Sequence, residues 1–510
     1  MNMALLFLLG LCPILWLVIA LIGLKWPTWK AALGSAVVAA VEALLVWHLS
    51  LAETGTAALE GILMALWPIV VVIIAAVFTY NLCVKTGAMD VIKQMLTNVT
   101  SDRRLLVLLI AWCFGGFMEG MAGFGTAIAI PAGMLAAMGF DPLFSCLVCL
   151  LANGFPTPWG SIGIPTVTLA NLVGLENTYL SFTESIQAAP FMVLMPFVIV
   201  MLAGGKGFKS LKGIVGITLV SGVAFVIPQL VISYFVGAEL AVVVGAVCSM
   251  GLTILLAMKK KADPEYQMDL PNKKSLTVSE GLKAWSPFIF IFIFLLGTSK
   301  LVAPVNTWLA QFSSAVQVYS GPNPNTINFV WINTPGIWIF LSAIFGAMIQ
   351  KAKPKLFFDT LKATVKQMTP TIITMCSVLA TAKIMAYSGM ISDIAAFCIL
   401  ITGSFFTFFA PWLGALGTFV TGSGTSSGLL FGPVQMDAAE ALQMDPFWVV
   451  GLNMLGVGVG KMLSPQSIAI ALSAVNGAGK DSELLKKVLP YGGVFLILTS
   501  LVGYFGGLFV

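Results

Sequence analysis

Apolar runs of about 20 residues recur from one end of the chain to the other, separated by short polar connections. Residues 31–51, 213–235, 238–258 and 488–508 are examples. Each is long enough, as a helix, to cross the ~30 Å hydrocarbon core of a bilayer. The run at 4–24 has no basic start and no small-residue cleavage site, which predicts a retained helix rather than a signal peptide. Two regions break the pattern. Between Arg103-Arg104 and Glu176 lie apolar stretches at 105–117, 124–138 and 143–172. The first two are short and are joined by Glu119-Gly120-Met121-Ala122-Gly123. The third is interrupted by Asn153-Gly154-Phe155-Pro156-Thr157-Pro158-Trp159-Gly160. This predicts a re-entrant hairpin at about 105–140 and a broken helix at 143–173. Non-helical backbone at that depth is tolerated only where protein covers it or it lines a cavity. A later region repeats the arrangement: a hairpin at about 394–434 with its tip at 414–425, then a broken helix at 447–474 interrupted between Asn453 and Pro465.

The two regions are copies. Pro68 and Gly87 lie 19 residues apart, as do Pro370 and Gly389. Gly125-Thr126 answers Gly424-Thr425, Asp141-Pro142 answers Asp445-Pro446, and Asn153 to Pro165 answers Asn453 to Pro465. All fall in order at offsets of 299 to 304 residues. The expected fold class is an all-α polytopic membrane protein, with about 12 transmembrane helices plus two re-entrant hairpins in two inverted repeats. That is the organisation of an elevator-type secondary transporter. Residues 1–205 form the first repeat, 206–283 an inserted helix pair with a basic loop, and 284–510 the second repeat.

Composition agrees: 59% of residues are hydrophobic and 9% charged, against roughly 25% charged in a soluble domain. The net charge of +5 does not point to nucleic acid, because the lysines sit in short loops between apolar runs. They cluster at Lys25 and Lys30; Lys85, Lys93, Arg103 and Arg104; Lys206, Lys209 and Lys212; Lys259, Lys260, Lys261, Lys273 and Lys274; Lys351, Lys353 and Lys355; and Lys480, Lys486 and Lys487. Such loops face the cytoplasm. Connections carrying Glu53 and Glu60, Glu176 and Glu184, and Asp393 are expected outside, with both termini. The loop after Gly87 is basic and the loop after Gly389 is not, so the copies run in opposite directions. The eight cysteines lie in apolar segments. Even Cys146-x-x-Cys149 reads as apolar packing, with no metal site and no cofactor.

Ionisable groups inside a bilayer are costly and usually functional. Glu119 is expected at the first hairpin tip and Lys461 in the second break, both in non-helical backbone. A transport role is the reading for both, against a structural salt bridge between them. Glu42 lies mid-helix in 37–51, where it is either a further polar site or a packing carboxylate. Lys383 is expected to snorkel from an outer helix end. Hydroxyls and amides gather nearby: Thr421, Ser423, Thr425, Ser426 and Ser427 at one tip; Asn153, Thr157 and Ser161 in the first break; Ser464, Gln466 and Ser467 after Lys461. With half-helix N-termini they suit an anion carrying several oxygens; helix capping and interhelical bonds are the plain alternative. Gly424-Thr425-Ser426-Ser427-Gly428 fits a hydrolase elbow, but the lone histidine, His48, lies in the other repeat. Gly456-Val457-Gly458-Val459-Gly460-Lys461 is one residue short of a phosphate loop, and Met462 replaces its Ser or Thr. Neither catalysis nor ATP drive is expected.

Phe114-Gly115-Gly116-Phe117-Met118-Glu119-Gly120, with Ala122-Gly123-Phe124-Gly125 and Gly163-Ile164-Pro165, resembles the first signature of the bacterial L-lactate permease family. Thr421-Gly422-Ser423, Thr425-Ser426-Ser427, Gly460-Lys461-Met462 and Ser464-Pro465-Gln466-Ser467-Ile468-Ala469-Ile470-Ala471 resemble the second. The resemblance spans both copies. It implies proton-coupled uptake of lactate, and often glycolate, across the bacterial inner membrane. The implied partners are a small monocarboxylate anion, a proton and membrane lipid, with a homodimer left open. Sodium coupling and a small-anion channel stay open as rivals. Three positions depart from the family pattern: Gly424 replaces an acidic residue, Gly428 an asparagine, and Met454-Leu455-Gly456 a threonine-rich run. Gly424 thus predicts a roomier site with Glu119 as its main acid.

Overall fold

The computed structural model describes residues 2–123, 125–268, 276–322, 324, 326–477 and 479–509. Phe124, Lys273 and Lys274 lie outside the described residues. The described chain is helical apart from one antiparallel pair, Ser313–Gln317 with Thr326–Val330, in which Ser313 faces Val330. It contains 11 helices long and apolar enough to cross a membrane, or up to 13 if each bent pair counts as one span.

Pro354–Ser388 packs against Thr28–Leu45 and Leu51–Met64, and Pro335–Ile349 lies between Val278–Thr298 and Val71–Lys85. Val215–Phe235 and Ala238–Lys259 pair with each other, and Ala238–Lys259 covers Gly115–Ala122 and Gly160–Val173. Four of the positions paired by offset in the sequence do matching local work. Gly87 and Gly389 both take left-handed backbone, at φ 78° and 90°, ahead of a helix. Asp141 and Asp445 each precede a proline at a helix start, and each caps it by accepting from Phe144 N or Trp448 N.

The hairpins and breaks differ from expectation in ways that packing explains. The first arm is a continuous helix, Arg103–Ala122, and the return arm is Thr126–Ala137. Glu119 is therefore helical, one turn before the turn at Gly123 and Gly125, rather than at the tip itself. The second hairpin is Phe406–Thr421 and Gly424–Leu442, turning at Gly422 and Ser423. Gly414 and Gly417 stay inside its first helix.

The first break falls where expected. Pro142–Gly154 ends, Thr157–Trp159 forms one 3-10 turn, and Gly160–Val173 leaves at 70°. Pro156 and Pro158 lack the N–H groups a continuing helix needs. Ser161, Ile162 and Gly163 follow in left-handed backbone. The second break is later and shorter. Pro446–Leu463 is helical through Asn453 and Lys461, and the interruption is Ser464 alone, before Pro465–Ala474. Gly456, Gly458 and Gly460 do not unwind the helix; they let backbone approach it. A Cβ on Gly458 would sit 2.8 Å from Gly154 O, and one on Gly460 2.9 Å from Ala415 C.

Three carboxylates or lysines assigned to surfaces are buried instead. Lys383 forms a 2.9 Å ion pair with Glu60, whose side chain is fully covered. Tyr387 donates to both oxygens of Glu60, at 2.9 and 3.0 Å, and Tyr319 stacks on Tyr387 with centroids 3.7 Å apart. Glu184 is buried in Asn177–Gly204. Asp393 lies in the first turn of Met390–Thr402 and accepts from Trp47 Nε1 at 2.9 Å. Glu176 does sit in a connection, where a hydrogen bond from Lys300 at 2.8 Å holds its carboxylate below the usual range.

Candidate functional site

The turns of the two hairpins and the two breaks meet. Each turn is glycine because its neighbour stands where a side chain would go. Ser161 of the first break lies over Gly123, with its Cβ 3.4 Å from where a Cβ of Gly123 would be. Ile470, beyond the second break, closes on Gly125 at 2.8 Å. Gln466 lies over Gly422, and Thr157 Cγ2 closes on Gly424 at 2.9 Å. Each hairpin turn thus touches the broken helix of its own half and that of the other. Gly123, Gly125 and Gly422 also need glycine for their positive φ, whereas Gly424 has ordinary helical backbone.

A cavity of about 750 Å³ opens where these four segments converge, within the range typical of small-molecule sites. Its wall carries Glu119, Thr157, Ser161, Ser423, Thr425, Lys461 and Gln466. Thr371 and Thr374 of Pro354–Ser388 add hydroxyls, and Lys25, Trp26 and Trp29 form the rim.

The two ionisable groups approach from different halves. Glu119 is 4% exposed and Lys461 7%. Each lies within electrostatic reach of the other. Asn153 Nδ2 donates to Glu119 Oε2 at 2.8 Å, and a Cβ on Gly160 would come within 3.2 Å of Glu119 Cδ. Glu119 is therefore pressed against the first break. Lys461 Nζ donates to Gly422 O at 2.9 Å, the carbonyl that ends Phe406–Thr421. A cation at a helix C-terminus is favourable, so the lysine holds the second turn.

The helix starts add donors. Ser423 Oγ accepts from Ser426 N at 3.2 Å at the head of Gly424–Leu442, and Pro465–Ala474 begins beside Lys461. These N-terminal ends carry partial positive charge. Asn153 Oδ1, Ser426 Oγ, Asn453 Oδ1, Ser464 Oγ and Ser467 Oγ are buried without a hydrogen-bond partner among the described residues. Such groups are costly unless water or a ligand serves them, and here they surround the convergence.

Some expected residues stand outside the wall. Asn153 acts through Glu119. Ser427 Oγ donates to Gly414 O at 2.8 Å and joins the hairpin arms; Ser426 is fully buried beneath the wall. Glu42 is remote, in Thr28–Leu45 beside Cys12, with one buried oxygen lacking a partner. The expected space at Gly424 is occupied, since Thr157 Cγ2 and Val457 Cγ1 both lie 2.9 Å from where its Cβ would sit. Thr371, Thr374 and the 25–29 rim were not foreseen. Pro370 beside them was visible only as a repeat marker.

Residues 6–506 match the family model described as L-lactate permease. The L-lactate permease of Streptococcus iniae is 41% identical over 86% of this chain and 92% of its own length. The glycolate permease GlcA of Escherichia coli K12 is 31% identical over 99% of this chain and 97% of its own. Among solved structures, the Alcanivorax borkumensis YdaH transporter aligns with 88% of this chain and 85% of its own at 14% identity, with a TM-score of 0.46.

Proposed function

We propose that this chain, which belongs to the L-lactate permease family, carries L-lactate or a related short monocarboxylate such as D-lactate or glycolate by proton symport. It is a multi-pass transporter of the bacterial inner membrane and not an enzyme. The observation that carries the reading is the convergence of Glu119 and Lys461 in one cavity, between both hairpin turns and both breaks. A carboxylate entering apolar surroundings needs a cation and donors to offset its lost hydration. Lys461 supplies the first. Ser423, Thr425, Thr157, Ser161 and Gln466 supply the second, along with the exposed helix starts. When Lys461 turns to the substrate it leaves Gly422 O, so binding loosens the bond that fixes the second turn. Glu119 then faces a neutralised lysine and takes up the coupled proton.

The matching caps at Asp141 and Asp445 and the matching glycines at Gly87 and Gly389 support two inverted repeats, 1–205 and 284–510, joined by 206–283. In this reading both hairpins and both broken helices move together, elevator-fashion, against a scaffold that includes Thr28–Leu45 and Val278–Thr298. The rim at Lys25, Trp26 and Trp29 lies among segments the lysine rule puts inside, which supports reading the cavity as open toward the cytoplasm.

Uptake of labelled lactate into proteoliposomes tests the reading. Accumulation should follow an imposed pH gradient and ignore exchange of Na⁺ for choline at fixed pH. Glu119→Gln should keep lactate exchange and lose accumulation. Accumulation driven by Na⁺ alone would replace proton coupling with sodium coupling, and concentrative uptake by Glu119→Gln would put the proton elsewhere.

A further inference from the structure

We propose that Glu184 is a second proton-binding site, one whose occupancy sets the hydrogen bond that braces the first break. Glu184 lies within Asn177–Gly204, behind the break rather than in the cavity, and is 2% exposed. Its Oε2 is 2.6 Å from Thr166 Oγ1, and the same Oγ1 is 2.9 Å from the Pro158 carbonyl oxygen. Its Oε1 is buried with no partner among the described residues.

A threonine hydroxyl has one proton to give. If Glu184 is ionised, Thr166 must donate to it, and Pro158 O gives up that donor. The carboxylate is then a buried charge with a single hydrogen bond. If Glu184 is protonated, its O–H donates to Thr166 Oγ1 and Thr166 donates onward to Pro158 O. Both short contacts are then hydrogen bonds, and no net charge is buried. An isolated buried carboxylate is stable only with a counter-charge or several donors, and Glu184 has neither. No other charged residue lies on its own helix or on the adjoining Val215–Phe235, Pro142–Gly154 and Gly160–Val173. On the other helices packed against it, Lys461 faces Glu119 and Gly422, Glu239 is held by Asn177, and Arg104 by Asp102. Among the described residues none of those groups, nor Arg103, Lys209, Lys259 or the charges opening Asp481–Gly506, forms an ion pair or hydrogen bond with Glu184.

The consequence reaches the cavity through the backbone. Pro158 lies between Thr157 and Ser161, both in the cavity wall. Release of the proton swings the Thr166 hydroxyl off Pro158 O and unties the break. Glu184 is thus a positioning residue, and the proposal stands whether or not Glu119 carries the coupled proton.

Infrared spectra of the purified, lipid-reconstituted protein test it without any transport. The wild type at neutral pH should show a protonated-carboxyl C=O band that Glu184→Gln removes and Glu119→Gln retains. Thr166→Val, in a chain that keeps Glu184, should shift the same band, which covers the case in which Glu184→Gln does not fold. Lactate exchange across a pH series is the second readout. The amide of Glu184→Gln donates to Thr166 at every pH. Its exchange should therefore fall less steeply at alkaline pH than that of the wild type, by a margin of roughly five- to tenfold, the worth of one buried hydrogen bond. Spectra of Glu184→Gln and wild type that superpose, or a Thr166→Val band that does not move, would overturn the proposal. A Glu184→Gln pH profile identical to wild type would overturn the link to the break. Because the infrared readout needs no substrate, a failure of the lactate reading is separable from a failure here.

Discussion

The break around Pro156 and Pro158 and the break at Ser464 reach one cavity by different means. The first is opened by two prolines and then held in three consecutive left-handed residues, two of which are not glycine. Left-handed backbone costs an L-residue about 1–2 kcal/mol, and burial of Ile162 at 1% exposure is part of what keeps it there. The second is one extended residue between two helices, with no positive φ. Its strain-free geometry relies on Gly456, Gly458 and Gly460, which bring neighbouring backbone against the helix that ends in Lys461. The first half therefore contributes a strained, hydroxyl-bearing wall beside the acid. The second contributes a rigid helix that aims the cation.

The largest test removes the cation. Lys461→Ala should fold and bind lactate at least about 30-fold more weakly, since removing one partner of a buried charge interaction costs roughly 2–5 kcal/mol. Calorimetric titration of the purified variant checks this, and near-native affinity would remove Lys461 from the site. Next, Gly460→Ala should lower stability by about 1–3 kcal/mol through overpacking, because the added Cβ meets the backbone of Ala415. Gly55→Ala, with nothing within 4 Å, should be neutral or stabilising by up to about 1 kcal/mol. Equal melting temperatures for the two would mean the glycines are not packing devices.

Gly424→Ala joins the halves. It should cost about 1 kcal/mol, and Thr157→Ser, which deletes the methyl that the new Cβ meets, should recover part of that in a double-mutant cycle. Strict additivity would dissolve the contact between the second turn and the first break. The smallest effect is a difference between the two breaks. Ser161→Gly should raise stability by up to about 1 kcal/mol by relieving left-handed strain. Ser464→Gly should give no such gain, since glycine there adds unfolded-state freedom against the relief of a buried unpaired hydroxyl. Thermal unfolding in detergent reads both.

The same asymmetry governs how much the sequence reveals. Pro156-Thr157-Pro158 removes backbone donors, so the first break is visible in one dimension. Gly456 to Gly460 is ambiguous there, because glycine serves both to unwind a helix and to admit a neighbour; only the positions of Pro411, Ala415 and Gly154 decide between them. Glu119 and Lys461 stand out as charges in apolar surroundings, and both are in the cavity wall. Glu60, Glu184 and Lys383 were misplaced for one reason. Counting lysines in loops assigns a side of the membrane but no depth within a helix, and each partner lies far along the chain or across a break. Thr371 and Thr374 reach the cavity only through the packing of Pro354–Ser388 beside the turns, and Trp26 only through the segment before Thr28–Leu45, which no local pattern encodes.

Arg103–Ala122 presents almost nothing to its surroundings: residues 104–122 are all buried. Thr28–Leu45 is the opposite, with 28% of its residues buried. Hydrophobic mismatch acts where acyl chains touch protein, at a fraction of a kcal/mol for each ångström. A thicker or thinner bilayer therefore strains the outer helices and leaves the helix bearing Glu119 untouched. The part of lactate affinity that rests on Glu119 is expected to be indifferent to lipid chain length, and the part that rests on the exposed Phe406–Thr421 to follow it.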